Sequence, residues 1–359
     1  MTETLRIIVT GGGTGGHVFP ALEIAKELRK QELPVEVIFV GNPESFEEKM
    51  ARESNFSFFA IPTKKLVGQT FLARIQALFY LKLAILRSIW FLVKNRPAAV
   101  IGVGGYVSAP MLIASFLLGI RRYICEQNVV PGLANKYLAF VAHRVFVSFA
   151  DSGAYFPKSK VIFAGNPVRK EFFARPLKTP SVELRVLITG GSSGAKYLNS
   201  EIPQALLGMG QDVKNLRITH QTGQAMLREV ESVYRRMNLR AQVLPFINDM
   251  PKAFFEHDVL ISRAGATVCA EIMASGMPAV LIPYPHAKGH QKENALALER
   301  HGAAIMIEED ATFNHRLAQV LKSLYSDHGL IDRMAQRARS MAIPSAGLAI
   351  SNAIIKEIV

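Results

Sequence analysis

The chain has 359 residues, of which 49% are hydrophobic and 20% charged, a balance that is typical of folded globular proteins and excludes disordered or low-complexity chains. At roughly 150 residues per domain, this length predicts two domains. The two cysteines, Cys125 and Cys269, are too few for a disulfide framework and lack metal-site spacing, so we expect the cytoplasm. The N-terminus lacks the basic and apolar segments of a secretory signal, so we expect no cleaved leader.

The net charge of +13 is concentrated in the first half of the chain, where nine basic residues and no acidic one lie between Ser54 and Cys125. Such a region attracts polyanions. Its basic residues are interspersed with long apolar side chains, whereas nucleic-acid sites intersperse them with polar and base-stacking groups, so we expect anionic membrane lipid as a partner and no nucleic acid. The predicted membrane-contact residues are Lys64, Lys65, Leu78, Phe79, Lys82, Arg87 and Trp90.

The apolar region from Phe71 to Val93 predicts a long helix that does not span a membrane, because charged residues interrupt every apolar window of about 18 residues. Its apolar residues form two stripes at helical spacing. One stripe is enough to dock a helix on a sheet, and the other either packs under neighbouring elements or meets acyl chains. The first stripe consists of Leu72, Ile75, Phe79, Leu83, Leu86, Trp90 and Val93. The second consists of Phe71, Leu78, Leu81, Ile85 and Leu92.

Strands, glycine turns and helices alternate along the chain, which predicts doubly wound parallel sheets. The first strand is predicted at Arg6–Thr10, followed by a glycine turn and by a helix at Ala21–Gln31 with Pro20 in its first turn. Further strands are predicted at Val35–Val40, Ala98–Ile101 and Tyr123–Cys125.

The same pattern occurs twice, because residues 185–191 repeat 6–12 and residues 259–265 resemble 100–105. We therefore predict two tandem doubly wound parallel-sheet, Rossmann-like α/β domains that face each other across a cleft. The predicted divisions are an acceptor and membrane-facing domain at 1–165, a linker at 166–180, a donor-binding domain at 181–340, and a C-terminal helix at 341–359 that packs back on the first domain.

Ligands of open parallel sheets bind beyond the carboxyl ends of the strands, so each glycine turn predicts a ligand site. Gly11-x-Gly13-x-x-Gly16 fits the dinucleotide fingerprint, but the second strand ends in Gly41-Asn42 and not in an acidic residue, which disfavours a nicotinamide or flavin enzyme. Neither glycine loop has the Lys-Ser/Thr ending of a nucleotide-hydrolase loop. Glycine turns at helix N-termini do bind anions, so two phosphate-bearing ligands and a group transfer are expected.

Two side chains beside these turns are candidates for chemistry. His17 directly follows the first glycine loop, where it is a candidate general base; the alternative is a capping or packing role. Glu271, on the helix after a turn of the second half, is a candidate acceptor for ribose hydroxyls; the alternative is a surface glutamate. No Asp-x-Asp pair ends a strand, so we expect no metal-bridged diphosphate. Because the dinucleotide fingerprint is incomplete, we also expect no organic cofactor.

Seven motifs in order resemble the MurG family of bacterial glycosyltransferases. They are Gly11–Pro20, Gly104–Ser108, Glu126–Asn128, Gly165–Arg169, Gly190–Ala195, Ser262–Val268 with Glu271, and Gln291 with Asn294 and Ala295. The resemblance implies a GT-B fold and a peripheral enzyme at the cytoplasmic face of the plasma membrane. It implies inverting transfer of N-acetylglucosamine from UDP-N-acetylglucosamine to the muramyl C4 hydroxyl of the undecaprenyl-diphosphate-linked acceptor lipid I, which gives lipid II for peptidoglycan synthesis. Other cell-wall synthesis enzymes are further partners that it implies.

The resemblance also assigns residues. Beside His17 as base, the residues that it assigns to the donor and the transferred sugar are Thr14, Gly15, Gly16, Asn128, Arg169, Ser192, Ile247, Arg263, Ala266, Thr267, Val268, Glu271, His290 and Gln291. Those that it assigns to the acceptor diphosphate are Gly12, Gly13, Gly104, Gly105 and Tyr106. His290 and Ser193 depart from the family, because many relatives have Gln at both positions.

Two other classes of function stay open on the residues alone. A different GT-B enzyme, which uses a soluble acceptor or epimerises a UDP-sugar, would need neither the basic apolar region nor Gly104–Tyr106. A non-catalytic binder of nucleotide sugars at the membrane would tolerate the loss of His17.

Overall fold

The computed structural model describes residues 4–63, 71–176, 183–191, 193–286 and 289–359, and it describes the backbone alone at residues 71–75, 77 and 78. Lys64, Lys65 and Ser192 and the side chain of Leu78, all predicted site residues, lie outside this description. The chain divides into two compact units: the first is Met1–Arg169 with Ile343–Val359, and the second is Lys170–Ala342.

The first unit is built on a seven-stranded parallel sheet. Its strands are β1 (Leu5–Thr10), β2 (Val35–Gly41), β3 (Ser57–Ala60), β4 (Ala99–Gly102), β5 (Arg121–Glu126), β6 (Arg144–Val147) and β7 (Val161–Phe163). The helices between them are α1 (Gly15–Arg29), α2 (Phe46–Glu53), α3 (Phe71–Asn95), α4 (Ser108–Leu117) and α5 (Leu133–Leu138). The strand order is β3-β2-β1-β4-β5-β6-β7, so the connections reverse direction between β1 and β4.

The second unit is built on a six-stranded parallel sheet. Its strands are β8 (Leu184–Thr189), β9 (Leu216–Gln221), β10 (Ala241–Leu244), β11 (Val259–Ser262), β12 (Ala279–Leu281) and β13 (Ala304–Met306). Its helices are α6 (Lys196–Leu207), α7 (Leu227–Arg236), α8 (Met250–Glu256), α9 (Ala266–Ser275), α10 (His290–Arg300), α11 (Phe313–Ser326) and α12 (His328–Ser340). The order β10-β9-β8-β11-β12-β13 reverses direction between β8 and β11, so the prediction of two doubly wound parallel sheets is confirmed.

The central strands are apolar on both faces because helices cover both faces of each sheet. Ile7, Ile8 and Val9 of β1 are fully buried, as are Val186, Leu187 and Ile188 at the equivalent place in β8. The last helix, α13 (Ala346–Ile358), returns to the first unit, packs on α1 and buries Ile350 and Ile354.

Helix α1 begins earlier than the sequence pattern predicted. It starts at Gly15, and the carbonyl oxygen of Thr14 accepts hydrogen bonds from the backbone N–H groups of His17 and Val18. Pro20 therefore lies inside the helix and not in its first turn. A proline inside a helix removes one backbone hydrogen bond, and here its ring is buried in the core instead of marking the helix start.

The packing of α3 is also different from the first expectation. The described members of the first stripe (Phe79, Leu83, Leu86, Trp90 and Val93) are 46–63% exposed, so this stripe does not dock on the sheet. The buried face carries Ala84, Ser88, Phe91 and Leu92, and Leu92 belongs to the second stripe. No helix in the described part of the chain is long and apolar enough to cross a membrane.

Candidate active site

The turns after β1 and β4 pack directly against each other at the carboxyl edge of the first sheet, where the strand order reverses. Gly104 and Gly105 have φ values of +107° and +80°, a region that favours glycine. A Cβ atom added at Gly105 would lie 2.4 Å from the carbonyl oxygen of Gly12. Backbone therefore contacts backbone here, at the place where open parallel sheets bind ligands.

His17 lies in the first turn of α1, beside both turns. Its Nδ1 atom is 3.4 Å from the hydroxyl oxygen of Thr14, and a Cβ atom added at Gly104 would lie 2.9 Å from its Nε2. Burial lowers the pKa of His17, whereas the Glu126 carboxylate, a hydrogen bond with the Gly12 backbone and the Glu47 carboxylate act to raise that pKa. The ring is therefore neutral at neutral pH, the form that can accept a proton.

The turn after β5 is organised by a buried carboxylate, Glu126, which is 2% exposed. Its Oε1 accepts hydrogen bonds from the backbone N–H and the side-chain amide of Asn128, at 2.9 and 3.1 Å. Its Oε2 accepts from the Asn135 amide at 2.8 Å and from the Gly132 N–H at 3.1 Å. These bonds fix the Asn128 side chain, a predicted site residue, at the carboxyl edge of the sheet.

Two further side chains at this edge were missed by the sequence analysis. Glu47, on α2, is 3% exposed and accepts hydrogen bonds from the backbone N–H groups of Gly13 and Asn42. Gln127 is 2% exposed and donates from Nε2 to the carbonyl oxygen of Val103 at 3.0 Å. Glu47 has no sequence signal of its own, because it lies on a short helix that resembles a surface helix. Gln127 lies within the Glu126–Asn128 motif, but no role was assigned to it.

The turn after β8 is described at residues 190, 191 and 193–195, and it has the same close backbone packing in the second unit. A Cβ atom added at Gly194 would lie 1.9 Å from the carbonyl oxygen of Thr222, and one at Gly223 would lie 2.2 Å from that of Ser193. The side chain of Gln221 donates a hydrogen bond to the carbonyl oxygen of Gly191 at 2.8 Å. The glycine turn of the second unit is therefore held against the end of β9.

A buried polar network lies beneath this turn. The Asn199 amide donates to the carbonyl oxygen of Thr222 at 2.9 Å, so its oxygen faces His220 Nε2, 3.2 Å away, and must accept from it. His220 Nδ1 then accepts from the Tyr234 hydroxyl at 2.9 Å. Burial lowers the pKa of His220 to about 3, which keeps the ring neutral and the network fully paired.

The turn after β11 leads into α9, which carries four of the nine predicted donor residues of the second unit. Arg263 forms an ion pair with Glu309, and its guanidinium donates to the carbonyl oxygens of Ile282 at 3.1 Å and Pro283 at 3.3 Å. It thus ties together the ends of β11, β12 and β13. Ala266, Thr267 and Val268 form the first turn of α9.

Glu271 is 9% exposed, which excludes the alternative of a surface glutamate, and its buried carboxylate remains a candidate ligand group. Cys269, next to it on α9, is fully buried, and burial and the Glu271 charge raise the pKa of its thiol to about 12. A thiol that stays protonated is not a nucleophile, which agrees with a packing role for Cys269.

The remaining predicted residues lie on both units. On the first unit, the Arg169 guanidinium lies 5.0 Å from the ring centroid of Phe19, and the Tyr106 hydroxyl is 3.5 Å from Asn42 Nδ2. On the second unit, Gln291 accepts a hydrogen bond from the Tyr284 N–H at 2.9 Å. Ile247 and His290 are half-buried there, and His290 begins α10.

No three His, Cys, Asp or Glu side chains cluster as metal ligands within the described ranges. The expectation that the protein uses neither a metal ion nor an organic cofactor stays a prediction.

Comparison with known proteins identifies the family. Residues 7–147 match the glycosyltransferase family 28 N-terminal domain, and residues 185–346 match the C-terminal domain of that family. A relative from Syntrophus aciditrophicus, named UDP-N-acetylglucosamine--N-acetylmuramyl-(pentapeptide) pyrophosphoryl-undecaprenol N-acetylglucosamine transferase, is 40% identical, with 94% of each chain covered. A Geotalea uraniireducens protein of the same name is 38% identical, with 98% of each chain covered.

The chain belongs to the MurG family. The crystal structure of Acinetobacter baumannii MurG superimposes with a TM-score of 0.80 at 34% identity, covering 98% of this chain and 99% of that one. The resemblance of the seven motifs and the GT-B fold class are thereby confirmed.

Proposed function

We propose that this protein transfers N-acetylglucosamine from UDP-N-acetylglucosamine to the muramyl C4 hydroxyl of lipid I, forming lipid II with inversion at the anomeric carbon. The observation that carries the proposal is 40% identity, over 94% of both chains, to a transferase named for this reaction. The partly buried, neutral His17 at the switch point of the first sheet supports it, because the reaction needs a base for the attacking hydroxyl.

His17 acts in this reaction as the general base. Its imidazole takes the proton from the C4 hydroxyl, the hydroxyl oxygen attacks the anomeric carbon of N-acetylglucosamine, and the bond from that carbon to UDP breaks. Thr14, whose hydroxyl is 3.4 Å from Nδ1, orients the ring. Gly15, Gly16 and Asn128 stay assigned to the reacting groups, and Glu126 holds the Asn128 amide for that contact.

The donor nucleotide is proposed to bind at the carboxyl edge of the second sheet. Ser192, Arg263 and Gln291 are assigned to the UDP-sugar, Ile247 to uracil, and the buried carboxylate of Glu271 to the ribose hydroxyls. The first turn of α9 presents backbone N–H groups, which favour anionic phosphate. His290, Arg169, Ala266, Thr267 and Val268 complete the assigned donor contacts.

The acceptor diphosphate is proposed to bind at Gly104, Gly105 and Tyr106. Gly104 and Gly105 present backbone N–H groups that can approach phosphate oxygens closely. Gly12 and Gly13, which were also predicted to bind the diphosphate, are not part of this site. The Gly13 N–H donates a hydrogen bond to Glu47, and the Glu47 carboxylate fills the space beside Gly12. A carboxylate at that place would repel a diphosphate.

The exposed stripe of α3 is proposed to place the first unit at the cytoplasmic surface of the plasma membrane. Phe79, Leu86 and Trp90 are 56–63% exposed, and Lys82 and Arg87 beside them are exposed as well. Apolar side chains of such a helix enter the acyl boundary while its basic residues meet anionic head groups. A lipid-linked acceptor requires this placement, since its diphosphate lies at the bilayer surface.

Replacing His17 by Ala should lower turnover by about 100-fold or more, because it removes the general base. UDP binding measured by calorimetry should be unchanged. His315→Ala, on the exposed side of α11, is the matched control and should keep full turnover. Unchanged single-turnover rates at saturating substrates in the His17 variant would show that His17 is not the base.

Replacing Glu271 by Gln should weaken UDP-N-acetylglucosamine binding by about 1 to 3 kcal/mol, the range for hydrogen bonds to a charged group. Lipid I affinity should barely change. Glu293→Gln on neighbouring α10, which is partly exposed, serves as the control. Equal losses for both substrates would argue for damage to the fold and against a ribose contact.

Replacing Phe79 and Leu86 by Ser should reduce co-sedimentation with vesicles that contain anionic lipid, while UDP binding stays intact. Added salt should weaken binding of the wild-type protein, since each basic residue near the surface contributes about 1 kcal/mol. Leu207→Ser, at a 48% exposed leucine of the second unit, is the control. Equal sedimentation with neutral and anionic vesicles at low salt would contradict the electrostatic part of the proposal.

A further inference from the structure

Glu47 is a buried carboxylate that joins two turns of the first sheet. Its Oε2 accepts a hydrogen bond from the Gly13 N–H at 3.3 Å, and its Oε1 accepts one from the Asn42 N–H at 3.2 Å. These N–H groups lie in the turns after β1 and β2. A carboxylate that is 3% exposed costs free energy unless its oxygens are paired, and both oxygens are paired here.

Two glycines leave the space that this carboxylate fills. A Cβ atom added at Gly12 would lie 2.4 Å from Glu47 Oε1, and one added at Gly41 would lie 2.6 Å from Glu47 Cγ. Distances this short are overlaps, so any side chain at either position would displace Glu47. The absence of a side chain at Gly12 therefore leaves room for the Glu47 carboxylate.

The charge of Glu47 acts on His17. Among the described residues, two charged groups act on the imidazole, and both are negative: Glu126 at the end of β5 and, with the smaller effect, Glu47 on α2. Burial, the largest influence, lowers the pKa of His17, and both carboxylates and the Gly12 backbone oppose it. A negative charge near the ring favours the imidazolium that forms when the ring takes up a proton.

We propose that Glu47 is a positioning residue for His17. It holds the glycine loop that precedes His17 by the hydrogen bond from the Gly13 N–H, and it joins that loop to the turn after β2 by the hydrogen bond from the Asn42 N–H. Its negative charge stabilises the imidazolium that His17 becomes. The proton moves from the acceptor hydroxyl to the imidazole and goes no further, so Glu47 stays ionised. This inference rests on the proposed function and names a residue that acts through the base and does not touch the substrate.

Glu47→Gln tests the inference, because glutamine keeps the shape but offers one acceptor oxygen where two N–H groups need one each. We expect kcat to fall about 10- to 100-fold with little change in the KM for UDP-N-acetylglucosamine. The acidic limb of the kcat profile should move to lower pH, since an influence that raises the pKa of His17 is lost. Glu53→Gln, at the exposed end of the same helix, should change neither quantity.

The ring of His17 can be titrated by NMR with labelled histidine, which needs no activity. A Glu47→Gln protein whose His17 titrates at or above the wild-type pH would overturn the inference. If Glu47→Gln does not fold, Glu47→Asp replaces it, because aspartate keeps the charge but has a shorter side chain. Glu47→Asp should lower kcat, and a wild-type kcat in this variant would also overturn the inference. If the wild-type protein makes no lipid II while His17 still titrates at lower pH in Glu47→Gln than in the wild type, the proposed function alone is refuted.

Discussion

Close backbone packing at the carboxyl edges of the two parallel sheets is the constraint on which the rest of the structure depends. In the first unit the turn after β4 contacts the turn after β1, and a Cβ atom at Gly105 would lie 2.4 Å from the Gly12 oxygen. In the second unit the turn after β8 contacts the end of β9, and a Cβ atom at Gly194 would lie 1.9 Å from the Thr222 oxygen. Only glycine fits such contacts without a shift of the backbone, and the helices that follow these turns begin at the same edge, where their N-terminal N–H groups lie.

The two units support this common frame with different chemistry. In the first, buried carboxylates hold the turns: Glu47 pairs with backbone N–H groups of two of them, and Glu126 with that of a third. In the second, a neutral network of Asn199, His220 and Tyr234 lies beneath the turn after β8. The Arg263–Glu309 ion pair joins the ends of the strands on the other side of β8. Negative charge beside His17 suits the role of general base that we propose for it, because the ring becomes positive when it takes up a proton.

Much of the fold could be predicted from the sequence because glycine turns and apolar strands are local signals. The glycine loops that follow Thr10 and Thr189 correctly predicted the end of a central strand in each sheet. The start of α1 could not be predicted, because Pro20 suggests a first turn and only the Thr14 carbonyl bonds show where the helix begins. The buried face of α3 could not be predicted either. Both faces of this helix are apolar, so the neighbouring elements determine which face is buried.

The candidate site was predicted where a residue type is unusual in its setting, as with His17 after a glycine loop. Glu47 was missed because it is one of two adjacent glutamates on a short charged helix, a pattern typical of a solvated face. The burial of Glu47 depends on Gly12, which is distant in sequence, and on Gly41, which belongs to β2. Only the tertiary structure shows that the space beside these glycines is filled by a carboxylate.

The central claim is that this chain joins N-acetylglucosamine to a lipid-linked muramyl sugar. Mass spectrometry of lipid I incubated with UDP-N-acetylglucosamine and the protein tests it most directly. The account predicts that lipid I gains the mass of one N-acetylglucosamine residue as UDP is released in equal amount. Lipid I left unchanged while the UDP-sugar is epimerised or bound intact would contradict the account.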